Sequence, residues 1–266
     1  MQTPPTHELS RIWWCPTGPL AFLPIHAAGL YGSNVAPGST LSEFVISSYT
    51  PTLSALINNC RDSKPQKFQL LAVAQPNALG QSHLPNTWAE LNKIQEHAKN
   101  FTVLSLIESN ATIERVVQGM KESSWVHFAC HGVQDIAKPT ESGLLLAGSS
   151  CLKLLDIIKM SLPHAELAFL SACQTAAGAE ELSEEAVHLA AGMLLAGYHG
   201  VIATMWSIRD RDAPCIADVV YAHLFREQQP DYTQAAHALH CAVQQLRRST
   251  EGKSYISWVP FIHIGM

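Results

Sequence analysis

Ala165-Glu166-Leu167-Ala168-Phe169-Leu170-Ser171-Ala172-Cys173-Gln174-Thr175-Ala176-Ala177-Gly178 is the stretch that decides the fold. It is an apolar run bounded by Pro163 and Gly178, uncharged after Glu166, and it stops on a cysteine followed by small and polar residues. A short continuous run of this kind reads as a strand covered on both faces, the condition of a parallel sheet with helices above and below. In open α/β sheets the ligand cleft lies just beyond the carboxyl ends of such strands.

Trp125-Val126-His127-Phe128-Ala129-Cys130-His131-Gly132 has the same shape and ends on a histidine and a glycine. Two neighbouring strand ends would set His131 opposite Cys173. That pairing suits attack on a carbonyl, because a thiolate is a good nucleophile and an imidazole can protonate a leaving amine near neutral pH. Glycine after the histidine lets a substrate backbone approach closely. Cys15, Cys60, Cys151, Cys215 and Cys241 read instead as small hydrophobes.

Around these two runs, strands and helices alternate. Strands are expected at Ile12–Cys15, Leu20–Leu23, Phe44–Ser48, Phe68–Ala74, Phe101–Ile107, Gly143–Ala147 and Gly200–Trp206. Helices are expected from Thr52 to Cys60 with Leu53, Leu56 and Ile57 inward, then at Asn86–Asn100, Thr112–Met120, Lys153–Met160, Ala186–Ala196, Pro214–Phe225 and Tyr232–Leu246. The alternation implies a mostly parallel sheet with right-handed crossovers. No linker divides the chain, so one large domain over 11–266 follows a flexible lead, 1–10. The first strand comes so soon after Ser10 that the chain also reads as a fragment of a longer protein.

With 266 residues and 47% hydrophobic content the chain can bury a sizeable core. A formal net charge of −5 leaves no basic stripe for phosphate backbones, which argues against nucleic acid. Seven cysteines without clustered spacing are no disulfide framework, and no amino-terminal signal sequence is visible, so a reducing, cytoplasmic setting is expected. The apolar stretch from His188 to Trp206 is interrupted by Gly192, Gly197, His199 and Gly200 and reads as helix, turn and strand rather than a membrane span. His127, Cys130 and His131 are not a zinc cluster, because alternation sends Cys130 to the opposite face and no close fourth ligand follows. Neither metal nor cofactor is expected. A Gly-x-Ser-x-Gly elbow and a phosphate-cradling loop are absent too.

The strings His127-Phe128-Ala129-Cys130-His131-Gly132 and Leu170-Ser171-Ala172-Cys173-Gln174-Thr175-Ala176-Ala177-Gly178 closely resemble the histidine and cysteine motifs of CHAT-domain proteins, of the caspase and separase clan of cysteine proteases. The likeness extends to Pro24-Ile25-His26-Ala27-Ala28, Ser48-Tyr49-Thr50-Pro51-Thr52-Leu53, Gly200-Val201-Ile202-Ala203-Thr204-Met205-Trp206 and Trp258-Val259-Pro260-Phe261-Ile262-His263-Ile264-Gly265, nearly the whole chain. It implies a caspase-like three-layer α/β/α sandwich and an intracellular cysteine endopeptidase acting on a protein or peptide substrate. Catalysis would use Cys173 and His131, with the backbone N–H groups of Gly132 and Cys173 as oxyanion donors. His127 would be a core histidine or a support for the site.

Met205-Trp206-Ser207-Ile208-Arg209-Asp210-Arg211-Asp212 resembles the separase segment in which an acid receives the arginine before the cut. Asp210 matches best, Asp212 is its neighbour, and Asp135 is a weaker candidate. Equally, both later aspartates would pair with Arg209 and Arg211 or cap the helix near Pro214. Ala179-Glu180-Glu181-Leu182 is expected to order on activation. Because CHAT domains often end chains bearing helical repeats, a helical-repeat sensor is the expected regulator, with activity latent until it acts. The alternative is a catalytically idle caspase-like interaction module.

Overall fold

A computed structural model describes residues 9–32, 35–58, 67–133, 135, 137–171, 173–174, 185–250 and 254–266, with backbone alone at 58, 173, 174 and 185–188. The segment Ala179-Glu180-Glu181-Leu182, expected to order on activation, lies outside the described residues.

The strands are β1 (Ser10–Trp14), β2 (Val45–Tyr49), β3 (Gln69–Ala74), β4 (Thr102–Ile107), β5 (Trp125–Ala129), β6 (His131–Val133), β7 (Gly143–Leu145), β8 (Cys151–Lys153), β9 (Leu167–Leu170), β10 (Cys173–Gln174), β11 (Gly200–Thr204) and β12 (Phe261–Gly265). The helices are α1 (Leu53–Asn58), α2 (Thr87–His97), α3 (Ile113–Glu122), α4 (Leu154–Ile158), α5 (Glu185–Ala196), α6 (Ala213–Leu224) and α7 (Ala235–Ser249).

An eight-stranded sheet runs β1-β2-β12-β11-β9-β5-β3-β4 among the described residues, and every neighbouring pair is parallel except β11 with β12. That reversal leaves β11, β9, β5, β3 and β4 pointing one way, so four consecutive strands, β11, β9, β5 and β3, send their following loops to one shared edge. Every residue of β5, β9 and β11 is buried, as continuous apolar strands with helices on both faces must be.

Alternation along each strand divides the core in two. Leu71, Val73, Val126, Phe128, Ala168, Leu170 and Val201 pack with Val116 and Met120 of α3, Ile157 of α4 and Met193 of α5. Leu70, Trp125, Leu167, Phe169 and Ile202 face the other way, against Ile94 of α2, Val220 and Tyr221 of α6 and Leu239 of α7. Removing side chains of this size from water contributes roughly 1.5–3 kcal/mol each. The result is a three-layer α/β/α sandwich with a mostly parallel central sheet.

Four local expectations change. Leu20–Leu23 is not a strand: Gly18–Phe22 forms a 3₁₀ turn, started by Pro19 after Gly18 at φ 57°. Leu53 and Ile57 do not face inward but stand 67% and 72% exposed, and no described residue of α1 joins either core cluster. The histidine strand breaks at Cys130, and the separate β6 joins a second sheet, β10-β6-β7-β8, at the shared edge. Strand β8 in that sheet has no counterpart in the sequence reading.

Candidate active site

Strands β5 and β9 lie side by side, Trp125 beside Leu167 through Phe128 beside Leu170. Each leaves the main sheet within a few residues. The Ser171 N–H still donates to the Phe128 carbonyl at 2.9 Å, and the chain then re-pairs in the small sheet. There β10 runs parallel to β6 with Cys173 in register with His131 and Gln174 with Gly132. Positions in register share one face of a sheet. The Cys173 side chain lies outside the described residues.

The imidazole of His131 is 0% exposed. Its Nε2 lies 2.7 Å from the Ser82 carbonyl oxygen. A carbonyl only accepts, so Nε2 carries the hydrogen and the neutral ring keeps its lone pair on Nδ1. Nδ1 is buried and has no hydrogen-bond partner among the described residues. The backbone contact therefore fixes the tautomer whose lone pair is on Nδ1.

Ser82 belongs to the loop between β3 and α2, and the same loop reaches Asp210. The Asn86 N–H and side-chain Nδ2 both donate to Asp210 Oδ2, at 2.9 and 2.6 Å. Asp210 thus sits at the positive end of α2, a favourable place for a carboxylate. Asp212, just before α6, is 5% exposed. Its Oδ1 is 3.9 Å from Arg211 Nε, and its Oδ2 has no partner among the described residues. Asp135, in the loop after β6, accepts from the Lys138 N–H at 2.9 Å, while its own N–H donates to Ser142 Oγ at 3.0 Å. That is a local turn cap. Of the three acids, Asp210 and Asp212 flank the start of α6, and Asp135 secures its own loop.

Sequence reasoning missed the polar cluster beneath the site. His127 is buried, with Nδ1 3.0 Å from the Tyr221 hydroxyl. Its Nε2 is 3.0 Å from Glu90 Oε1, a close approach bent away from a linear hydrogen bond. Ser171 Oγ–H donates to Glu90 Oε2 at 3.1 Å. The available signal was Glu90 itself, a carboxylate four positions before Ile94 on the apolar stripe of α2.

The flanking motif blocks meet elsewhere. His26 Nδ1 lies 2.7 Å from the Tyr49 hydroxyl and Nε2 lies 2.8 Å from the Val259 carbonyl. Burial pushes the His26 imidazole down to about 4, against a smaller upward pull from Val259, and pushes the Tyr49 phenol up to about 12. No group of His, Cys, Asp and Glu suited to a metal ion occurs among the described residues. No described helix is long and apolar enough to cross a membrane.

The family model described as CHAT domain matches residues 2–266. A search of curated proteins finds no match. Among solved structures the fold is similar to the Arg specific cysteine proteinase gingipain R (RgpB), with a TM-score of 0.53 and 12% identity over 83% of this chain and 54% of that one. It is similar to the complex of Porphyromonas gingivalis RgpB pro- and mature domains, at TM-score 0.52 and 13% identity over 87% of this chain and 60% of that one. The Saccharomyces cerevisiae separase–securin complex gives TM-score 0.55 and 14% identity over 85% of this chain and 14% of that one. At these identities the likeness is one of fold. The chain spans little more than half of the proteinase and a small part of separase.

Proposed function

The chain belongs to the CHAT domain family, and on that premise we propose that it is a cysteine endopeptidase that cleaves protein substrates through Cys173 and His131. The observation that carries the reading is the β6–β10 register, which pairs position 173 with His131, whose Nε2 is committed to the Ser82 carbonyl and whose Nδ1 is left for the reaction.

In this reading Nδ1 takes the thiol proton and the sulfur attacks the scissile carbonyl carbon. The oxyanion is met by the Gly132 and Cys173 backbone N–H groups, each contributing on the order of 10²-fold. Nδ1–H then protonates the departing amine, leaving a thioester. Water, losing its proton to Nδ1, attacks that thioester and frees the sulfur. Throughout, the Nε2–H to Ser82 contact keeps the ring oriented and supports its cationic form.

Cleavage after arginine or lysine is the accompanying specificity proposal. It is supported by Asp210 and Asp212 beyond β11, and by the fold likeness to an Arg specific cysteine proteinase. A guanidinium matches a carboxylate in a bidentate fork. Asp212 Oδ2 is a buried acceptor without a partner among the described residues, while Asp210 Oδ2 already accepts twice.

Complete burial of His131 favours latency, since a substrate carbonyl reaches Nδ1 only after surrounding chain moves. We assign that movement to a regulatory partner, with a helical-repeat sensor in the cytoplasm as the expected kind. The same burial favours the second reading, an idle caspase-like interaction module. Labelling with a peptidyl-arginine acyloxymethyl ketone, read by mass spectrometry, separates the two. The peptidase reading expects adduct at Cys173 in the wild type, none in Cys173→Ala, and at least about 10²-fold slower labelling in His131→Ala. Folded wild type that stays unlabelled across a peptide panel, with and without a repeat-bearing partner, would leave only the module.

A further inference from the structure

We propose that Glu90 is the positioning residue of this site, a buried carboxylate that grips both site strands where they leave the main sheet. The kinetic part of its test rests on the peptidase reading above; the structural part does not.

Glu90 is 2% exposed and lies in α2, directly after the loop that holds His131 through Ser82 and Asp210 through Asn86. One carboxylate oxygen accepts from Ser171, two positions before Cys173; the other meets His127, four positions before His131. The far nitrogen of His127 reaches Tyr221 on α6, the helix that begins after Asp212. Four elements that carry candidate site residues therefore converge on one side chain and its neighbour.

The protons can be assigned without conflict. Ser171 O–H points to Glu90 Oε2 and Tyr221 O–H to His127 Nδ1, while the His127 Nε2–H lies beside Glu90 Oε1 without aligning on it. Tyr221 keeps its proton, because burial and, second, the Glu90 charge push its phenol well above the ordinary range.

Stability does not explain the cluster. Burying a carboxylate costs more than a pair of bent or neutral contacts returns, and apolar side chains of equal volume usually serve as well or better. A 3 Å directional contact does what an apolar side chain cannot: it opposes sliding of one strand along another. Such sliding matters here, because the described residues of β6 and β10 number only three and two and offer a short ladder. A misplacement of about 1 Å between reacting groups costs on the order of 10²-fold in rate.

The test uses Glu90→Gln, which keeps volume, and Ser171→Ala, which removes only the β9 contact, so that a folding failure in one leaves the other. With the peptidyl-arginine ketone, kinact is expected to fall about 10²-fold in Glu90→Gln and about 10-fold in Ser171→Ala, with KI and the labelled fraction unchanged. A merely structural role would instead lower the labelled fraction and leave kinact alone. Hydrogen exchange supplies a second readout: amides at 131–133 and 173–174 lose protection in Glu90→Gln while those of β3 keep theirs. Wild-type kinact in both variants overturns the proposal. Should wild type itself never label, the peptidase reading fails separately and exchange alone decides: selective loss at 131–133 upholds positioning, wild-type protection there overturns it.

Discussion

Mild acid is expected to destabilise the protein through His26, and the size of the effect follows from two contacts. The Val259 carbonyl accepts from Nε2–H, and the Tyr49 hydroxyl, which receives the His26 backbone N–H at 3.1 Å, gives its own hydrogen to Nδ1. Every donor and acceptor is satisfied with the ring neutral. A proton on Nδ1 would face the Tyr49 hydrogen in surroundings that disfavour charge, so burial holds the group at about 4. Unfolded, the same side chain titrates near 6.5.

The sign follows directly. Above about pH 6.5 neither state holds the proton and His26 adds no pH dependence. As the pH falls below that, the unfolded chain binds a proton that the folded chain refuses, and stability drops at up to about 1.4 kcal/mol per pH unit. The loss levels off only as the folded state protonates, near about 4. Between about pH 7.5 and about pH 4.5 it amounts to about 2.5 kcal/mol, against a typical total of roughly 5–15 kcal/mol. Because His26 is half-buried rather than fully enclosed, this is an upper figure. Urea unfolding at the two pH values reads it: His26→Gln is less stable at neutral pH, yet loses about 2.5 kcal/mol less than wild type on acidification. Parallel losses in the two proteins would refute the assignment to His26.

The acids and the small sheet yield two further expectations. Asp210→Asn removes the anion at the amino end of α2 and should cost about 0.5–2 kcal/mol in thermal or urea unfolding; if it leaves a preference for basic residues intact in a fluorogenic peptide panel, the accepting acid is elsewhere, with Asp212→Asn the next variant. Gly143→Ala would place a methyl 2.2 Å from the Leu152 carbonyl oxygen and 2.8 Å from Cys151 Sγ, so β7 and β8 must part. Since β7 pairs with β6 at Gly132, exchange protection at 131–133 should fall together with the Cys173 labelling rate, and unchanged values in both would show that the small sheet does not hold His131.

What was legible in the sequence was whatever a local pattern carries. Continuous apolar runs marked β3, β5, β9 and β11, which are indeed consecutive or near neighbours in a parallel array, and Thr112 marked the start of α3, where its side chain accepts from the Arg115 N–H. Apolar content without a partner surface misled at Leu20–Leu23 and at Leu53 and Ile57, because periodicity says which residues could face a core and not whether one is there. The second sheet was legible only at β7, read at Gly143–Ala147, because β6, β8 and β10 have two or three described residues each, too few positions for any period. Cys130 breaks one strand to begin β6, and the chain after Leu170 leaves another.

The polar contacts that matter most were out of reach for a physical reason that also explains their usefulness. Ser82 with His131, Asn86 with Asp210, and Glu90 with Ser171 are separated by 49, 124 and 81 positions, so no window of sequence contains both partners. Yet all three donors or acceptors lie within nine consecutive residues, 82–90. One loop and the first turn of α2 therefore touch the histidine, an acid beyond β11 and the strand leading to Cys173. A shift of that helix would therefore disturb all three contacts together.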